Sequence, residues 1–146
     1  MYRMDKVNIS LMYLGLIPFF GTAFITGFHL PITSILDINI QTFARSYSLV
    51  IGSFMSGIYW GQALMHEPAV SRKYALISNI LCLGFWFSFL IFGDVIFYFS
   101  NILLFTCLLI VDFKMKEMNF MTHQYFMHRG LVSSGVILCL LILSLS

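Results

Sequence analysis

Apolar residues run along this chain in five long blocks separated by short polar breaks. The blocks cover about residues 9–28, 46–65, 74–92, 95–111 and 131–146, and none has a charged residue in its interior. A helix that crosses a bilayer needs about 20 mainly apolar residues, within a range of roughly 17–25. Backbone groups in lipid must be satisfied inside the segment or within a closed barrel. Barrel strands show ~10-residue stretches of alternating polarity, whereas these blocks are continuously apolar, which predicts helices. The expected fold is all-α: a single transmembrane domain over residues 1–146, an integral bundle of five transmembrane helices. The last block is the shortest, at sixteen residues. That is ~24 Å against a ~30 Å hydrocarbon core, so it either spans with local thinning or dips in and stops.

Pro18 interrupts the first block, and a kink is expected where the Leu14 carbonyl loses its amide partner. Arg3 and Lys6 resemble the basic start of a cleaved signal peptide. The apolar stretch is too long for one, however, and no small-x-small cleavage site follows. It reads as a retained helix. Five crossings then place Arg3, Lys6, Arg72, Lys73, Lys114, Lys116 and Arg129 on one side, and only Arg45, with Asp37 and Asp94, on the other. Under the positive-inside rule the N-terminus is expected in the cytoplasm, or a mitochondrial matrix, and the C-terminus outside.

Composition agrees with this reading. Of 146 residues 60% are hydrophobic and 10% charged, against about 25% charged in a soluble domain. A soluble enzyme and a disordered linker are excluded. A net charge of +2 without a basic stripe excludes a nucleic-acid partner. The expected partners are membrane lipids and, through helix packing, a homo-oligomer or another membrane protein. Cys82, Cys107 and Cys139 fall inside predicted spans, where they serve as small apolar residues rather than a disulfide framework.

The second block carries the most distinctive pattern. Ser53, Gly57 and Gly61 recur every four residues, and Gly52 with Ser56 makes an adjacent row. Small residues at that spacing let helix backbones approach closely in lipid. The segment reads as the central helix of the bundle, or alternatively as a homodimer face through Gly57-xxx-Gly61. Tyr59, Trp60, Gln62 and Asn79 form a candidate polar or ligand site near the inner leaflet, with a Gln62–Asn79 hydrogen bond between helices. Asn101 lies toward the opposite end and reaches neither.

Several chemistries lack their residues. No Asp, Glu, Lys, Arg or His lies in mid-span, which disfavours ion-coupled transport. Phosphate-binding glycine loops, paired catalytic carboxylates and a nucleophile elbow are missing too, so the reading leans away from an enzyme. His66, Glu67, Asp112, Glu117, His123 and His128 share the cytoplasmic edge. The two nearest histidines, His123 and His128, would point ~140° apart on a helix, so no metal and no cofactor is expected. Asp112 and Arg129 form a candidate ion pair tying the ends of the last cytoplasmic loop. Phe120, Tyr125 and Phe126 beside it suit headgroup-level anchors, or an interfacial segment that contacts a lipid head group or a quinone.

The order of motifs resembles a known family. Tyr13-Leu-Gly-Leu-Ile-Pro-Phe19 opens the first block, Ser53-Phe-Met-Ser-Gly-Ile-Tyr-Trp-Gly61 lies in the second, and Trp86, Asp112 and Arg129 follow. The pattern is similar to that of small multi-pass proteins defined as a domain of unknown function, found in proteobacterial inner membranes with mitochondrial transmembrane relatives. The resemblance implies an inner-membrane location and a five-helix bundle, and brings no catalytic residues. Before its arginine that family tends to have a Pro-x-Trp-Tyr type stretch, where this chain has Thr122-His-Gln-Tyr-Phe-Met-His128.

Three functions rank in order. First is a non-enzymatic helix-packing or assembly partner of another membrane complex. Second is a small-molecule, quinone or lipid-handling protein or carrier using Tyr59, Trp60, Gln62 and Asn79. Third is a membrane enzyme using Asp112, His123, His128 and Arg129.

Overall fold

A computed structural model describes residues 6–30 and 39–145, which form six helices and no strand. They are α1 (Lys6–Leu14), α2 (Ile17–Gly27), α3 (Ile40–Ala63), α4 (Pro68–Ile91), α5 (Asp94–Glu117) and α6 (His123–Leu145). Arg3 and Asp37, which entered the charge map, lie outside the described residues. Four segments are long and apolar enough to cross a membrane: Lys6–Gly27, which joins α1 and α2, and then α4, α5 and α6. The chain is a multi-pass membrane protein. Helix α3 has the length of its neighbours but is less apolar, because it carries more small and polar residues. Ser48, Gly52, Ser56 and Tyr59 are buried, while Val50, Phe54, Trp60 and Leu64 on its outer side are exposed.

The first block is two helices rather than one kinked helix. After Leu14 the chain tightens, with the Leu16 N–H donating to the Tyr13 carbonyl at 3.0 Å, and α2 restarts with Pro18 in its first turn. Proline costs little there, since N–H groups of a first turn have no intrahelical partner anyway. The Tyr47 hydroxyl of α3 donates to the Gly15 carbonyl at 2.9 Å and holds the break against the central helix.

The other helices outrun the apolar blocks that predicted them. Helix α3 begins at Ile40, where the Asn39 side chain accepts the Thr42 N–H at 3.0 Å as an N-cap. Helix α4 begins at Pro68, α5 continues to Glu117, and α6 starts at His123. The shortage feared for the last segment disappears, since its 23 residues span ~35 Å. Hydropathy stops at the first charge, but a helix continues wherever that charge is paired or reaches the interface. Between α5 and α6 Asn119 takes φ 59°. Its N–H donates to the Lys116 carbonyl and that of Phe120 to the Met115 carbonyl, closing α5 with a Schellman turn.

In the centre α3 packs along α4, α5 packs along α6, and α2 lies on α6 and α3. Phe19, Phe85, Phe97 and Phe105 are fully buried, whereas Phe24, Ile80, Ile96 and Leu103 face outward. A continuous apolar exterior of this kind belongs to a lipid-facing protein. Some polar groups inside are paired across helices: Ser78 Oγ donates to the Ser56 carbonyl at 2.8 Å, and Asn101 Nδ2 donates to Ser88 Oγ at 2.8 Å. At the end of the bundle where α4 meets α5, Arg45 donates to the Phe89 and Phe92 carbonyls and pairs with Asp94 at 2.8 Å. One guanidinium thereby satisfies the Phe89 carbonyl in the last turn of α4, the Phe92 carbonyl just past it and the first acidic residue of α5.

The small-residue rows of α3 divide between two faces. A methyl at Gly52 would lie 2.4 Å from the Phe85 ring, while methyls at Gly57 and Gly61 would meet nothing within 4 Å. Gly52→Ala is expected to destabilise the protein by about 1–3 kcal/mol through overpacking, and Phe85→Leu in the same chain to recover part of that loss. Gly57→Ala should leave the melting temperature unchanged or raise it. Thermal unfolding in one detergent checks all three.

Candidate functional site

Three helices bring one side chain each to a single buried point. Tyr59 of α3, Asp112 of α5 and Arg129 of α6 are 0%, 0% and 2% exposed. Arg129 Nε donates to Asp112 Oδ2 at 2.8 Å. The Tyr59 hydroxyl donates to Asp112 Oδ1 at 2.8 Å and lies 2.9 Å from the Leu108 carbonyl. Arg129 Nη2 approaches the same hydroxyl at 3.4 Å, and the guanidinium sits 5.7 Å from the ring centroids of both Tyr59 and Tyr125. Both carboxylate oxygens are thus occupied. Nη1 of Arg129 has no hydrogen-bond partner among the described residues.

The ion pair expected between Asp112 and Arg129 forms, and it is buried rather than exposed. Asp112 lies within α5 and Arg129 within α6, with Asp112 ~7.5 Å before the last residue of its helix. A lone charge there would be strongly disfavoured, but a hydrogen-bonded pair is tolerated, and ionisable residues inside a bundle mark functional positions.

Arg129 lines a cleft of about 600 Å³ between α1, α3, α6 and the turn before α6, within the ~300–1,000 Å³ range of small-molecule pockets. Helix α1 packs on α6 and makes no substantial contact with α3. Exposed Leu11 and Phe54 flank the opening between them. The lining is graded. Asn8, Gln62, Thr122 and Arg129 stand at the end of the bundle shared by the start of α1, the end of α3 and the start of α6. Ile51, Met55, Val132 and Val136 line the deeper part. Among the described residues the Gln62 side chain makes no hydrogen bond and no acidic side chain lines the cleft.

The quartet expected as a polar site is not brought together. Tyr59 is buried beneath the cleft in the ion-pair cluster, Gln62 lines it, and Trp60 is on the outer surface at 46% exposure. The side chain of Asn79 is exposed and donates to the Ala75 carbonyl of its own helix, so it does not bond Gln62. Its neighbour Ser78 occupies the inward position instead, because one residue is ~100° around a helix. Of the small residues, Gly52 and Ser56 are buried against α4, Ser53 is half-buried, and Gly57 and Gly61 are exposed. His123 is exposed, and His128 Nδ1 lies 3.0 Å from the Tyr13 hydroxyl. Tyr59 as a ligand of the ion pair escaped the sequence reading, since nothing along the chain links positions 59, 112 and 129.

Residues 4–145 match a family described as a protein of unknown function (DUF3429), and the chain belongs to it. No curated protein and no solved structure matches the chain.

Removing one member of the pair strands the other. Arg129→Leu or Asp112→Leu alone is expected to cost about 3–5 kcal/mol, and the double substitution much less than their sum. Chemical denaturation in detergent of the two single variants and the double variant measures the coupling.

Proposed function

We propose that this DUF3429 member is a five-span inner-membrane protein that holds a lipid-soluble amphiphile in the cleft above Arg129. The observation that carries the reading is the gradient along the cleft, polar at one end of the bundle and apolar toward its middle. A molecule with a polar head and an apolar tail matches that gradient, and the lateral opening between α1 and α3 admits it from the bilayer. Helix α3 serves as the fifth crossing, since it is as long as α4 and α5 and buries Ser48, Ser56 and Tyr59 on its inner side. With the N-terminus in the cytoplasm, the polar end of the cleft lies at the inner leaflet, beside Arg72, Lys73, Lys114 and Lys116. The proteobacterial and mitochondrial relatives implied by the motifs fit such a location. No reacting group is assigned, and the role is binding or carriage rather than catalysis.

A second reading keeps support from a separate observation. Gly57 and Gly61 are exposed and open, which suits a close helix–helix approach by a partner protein or a second copy.

Two measurements test the proposal. Native mass spectrometry of the protein released from lipid nanodiscs should retain a bound lipid-like species. Val132→Trp, which fills the cleft, should eject that species, whereas Ile80→Trp on the far surface should not. Retention that is equal in both variants, or absent in the native chain, removes the reading. A C-terminal alkaline phosphatase fusion should be active and a C-terminal green fluorescent protein fusion dark; the reverse result overturns the five-span topology.

A further inference from the structure

The polar end of the cleft has an unusual charge balance. Its cation, Arg129, is already neutralised by Asp112 at 2.8 Å, and each oxygen of that carboxylate accepts one hydrogen bond, from Arg129 Nε and from the Tyr59 hydroxyl. What the cleft presents is therefore hydrogen-bonding capacity without net charge. Nη1 of Arg129 keeps its N–H donors, and a guanidinium has no acceptor to offer. The Gln62 amide, on the facing helix, is also unspent and supplies a further N–H donor. An anionic head placed here would bring a third charge into a low-dielectric site whose lining, among the described residues, offers no cation besides the paired Arg129. A cationic head would meet the donor face of a guanidinium, with only neutral side-chain oxygens, such as those of Asn8, Gln62 and Thr122, to accept from it. A neutral acceptor satisfies the free N–H groups and leaves the ion pair balanced.

On the reading of the cleft as an amphiphile site, we infer that its ligand carries an uncharged carbonyl acceptor on an apolar tail. The carbonyl accepts from Arg129 Nη1 and the Gln62 amide, and the tail follows Val132 and Val136 toward the middle of the bundle. Two kinds of membrane molecule share this chemistry: a quinone with an alkyl or prenyl chain, and a glyceride with ester carbonyls and no charged head.

Four probes of similar tail length decide the matter. They are a decyl-substituted benzoquinone, dioctanoylglycerol, decyl phosphate and decyltrimethylammonium, offered together to the purified full chain in a nonionic detergent and read by native mass spectrometry. The two carbonyl probes should be retained over both charged probes by about tenfold or more. Whichever of them dominates names the source as quinone or glyceride. Gln62→Leu, which leaves the ion pair intact, should reduce retention of the carbonyl probes by about tenfold. Asp112→Asn exposes an uncompensated guanidinium, so decyl phosphate should gain about tenfold over the carbonyl probes in that variant. Preferential retention of decyl phosphate or the ammonium probe by the native chain overturns the inference while leaving the amphiphile site standing. A folded Asp112→Asn variant with unchanged order also overturns it. No retention of any probe, or retention that survives Val132→Trp, removes the amphiphile site itself. Should Asp112→Asn fail to fold, the native order and Gln62→Leu decide alone.

Discussion

A carboxylate and a guanidinium buried between helices must satisfy each other, because lipid offers neither of them a partner and the helix backbone has few groups to spare. In this protein that requirement joins Tyr59, Asp112 and Arg129 from three different helices. A buried pair of this kind contributes modestly to net stability once desolvation is counted, yet any arrangement that separates its members is strongly disfavoured. It therefore sets the relative positions of α3, α5 and α6 at one end of the bundle. Arg45 acts at the opposite end, where its donors to Phe89 and Phe92 and its pairing with Asp94 close the α4–α5 connection. Between the two charged points the contacts are aromatic packing and short side-chain hydrogen bonds, which leave more freedom in register.

Packing in lipid has little hydrophobic drive of its own, so close approach has to come from shape. Gly52 illustrates this, since the Phe85 ring occupies the volume that any Cβ there would need. The same helix exposes Gly57 and Gly61 on its other side. Two rows of small residues, one residue apart in phase, thus do different things. One lets the core close, and the other leaves a smooth strip on the outer surface.

The cleft follows from how the first helices are laid down. Pro18 forces α2 to restart, and Tyr47 anchors the break at Gly15 to α3. Below that anchor α1 leans on α6 and not on α3, so a gap stays open beside Arg129. The break in the first segment and the cleft beside Arg129 are therefore parts of one arrangement.

Much of this was legible along the chain. The helical class, the apolar segments and the interruption at Pro18 came from length and periodicity, which depend on local hydrogen bonding and on the thickness of a bilayer. Asp112 and Arg129 were recognisable as a complementary pair at the ends of one loop. Their depth was not, because hydropathy counts a charge as the end of a span and has no knowledge of a partner on the next helix. Nor could Asn79 be told from Ser78, or Gly52 from Gly57, as inward positions, since a shift of one residue turns a side chain by ~100°. The sequence by itself determined that this is a multi-pass helical membrane protein with few charges. Only the tertiary structure decided that two of those charges are buried together with Tyr59 beside a cleft, because that depends on how separate helices rotate and lean against one another.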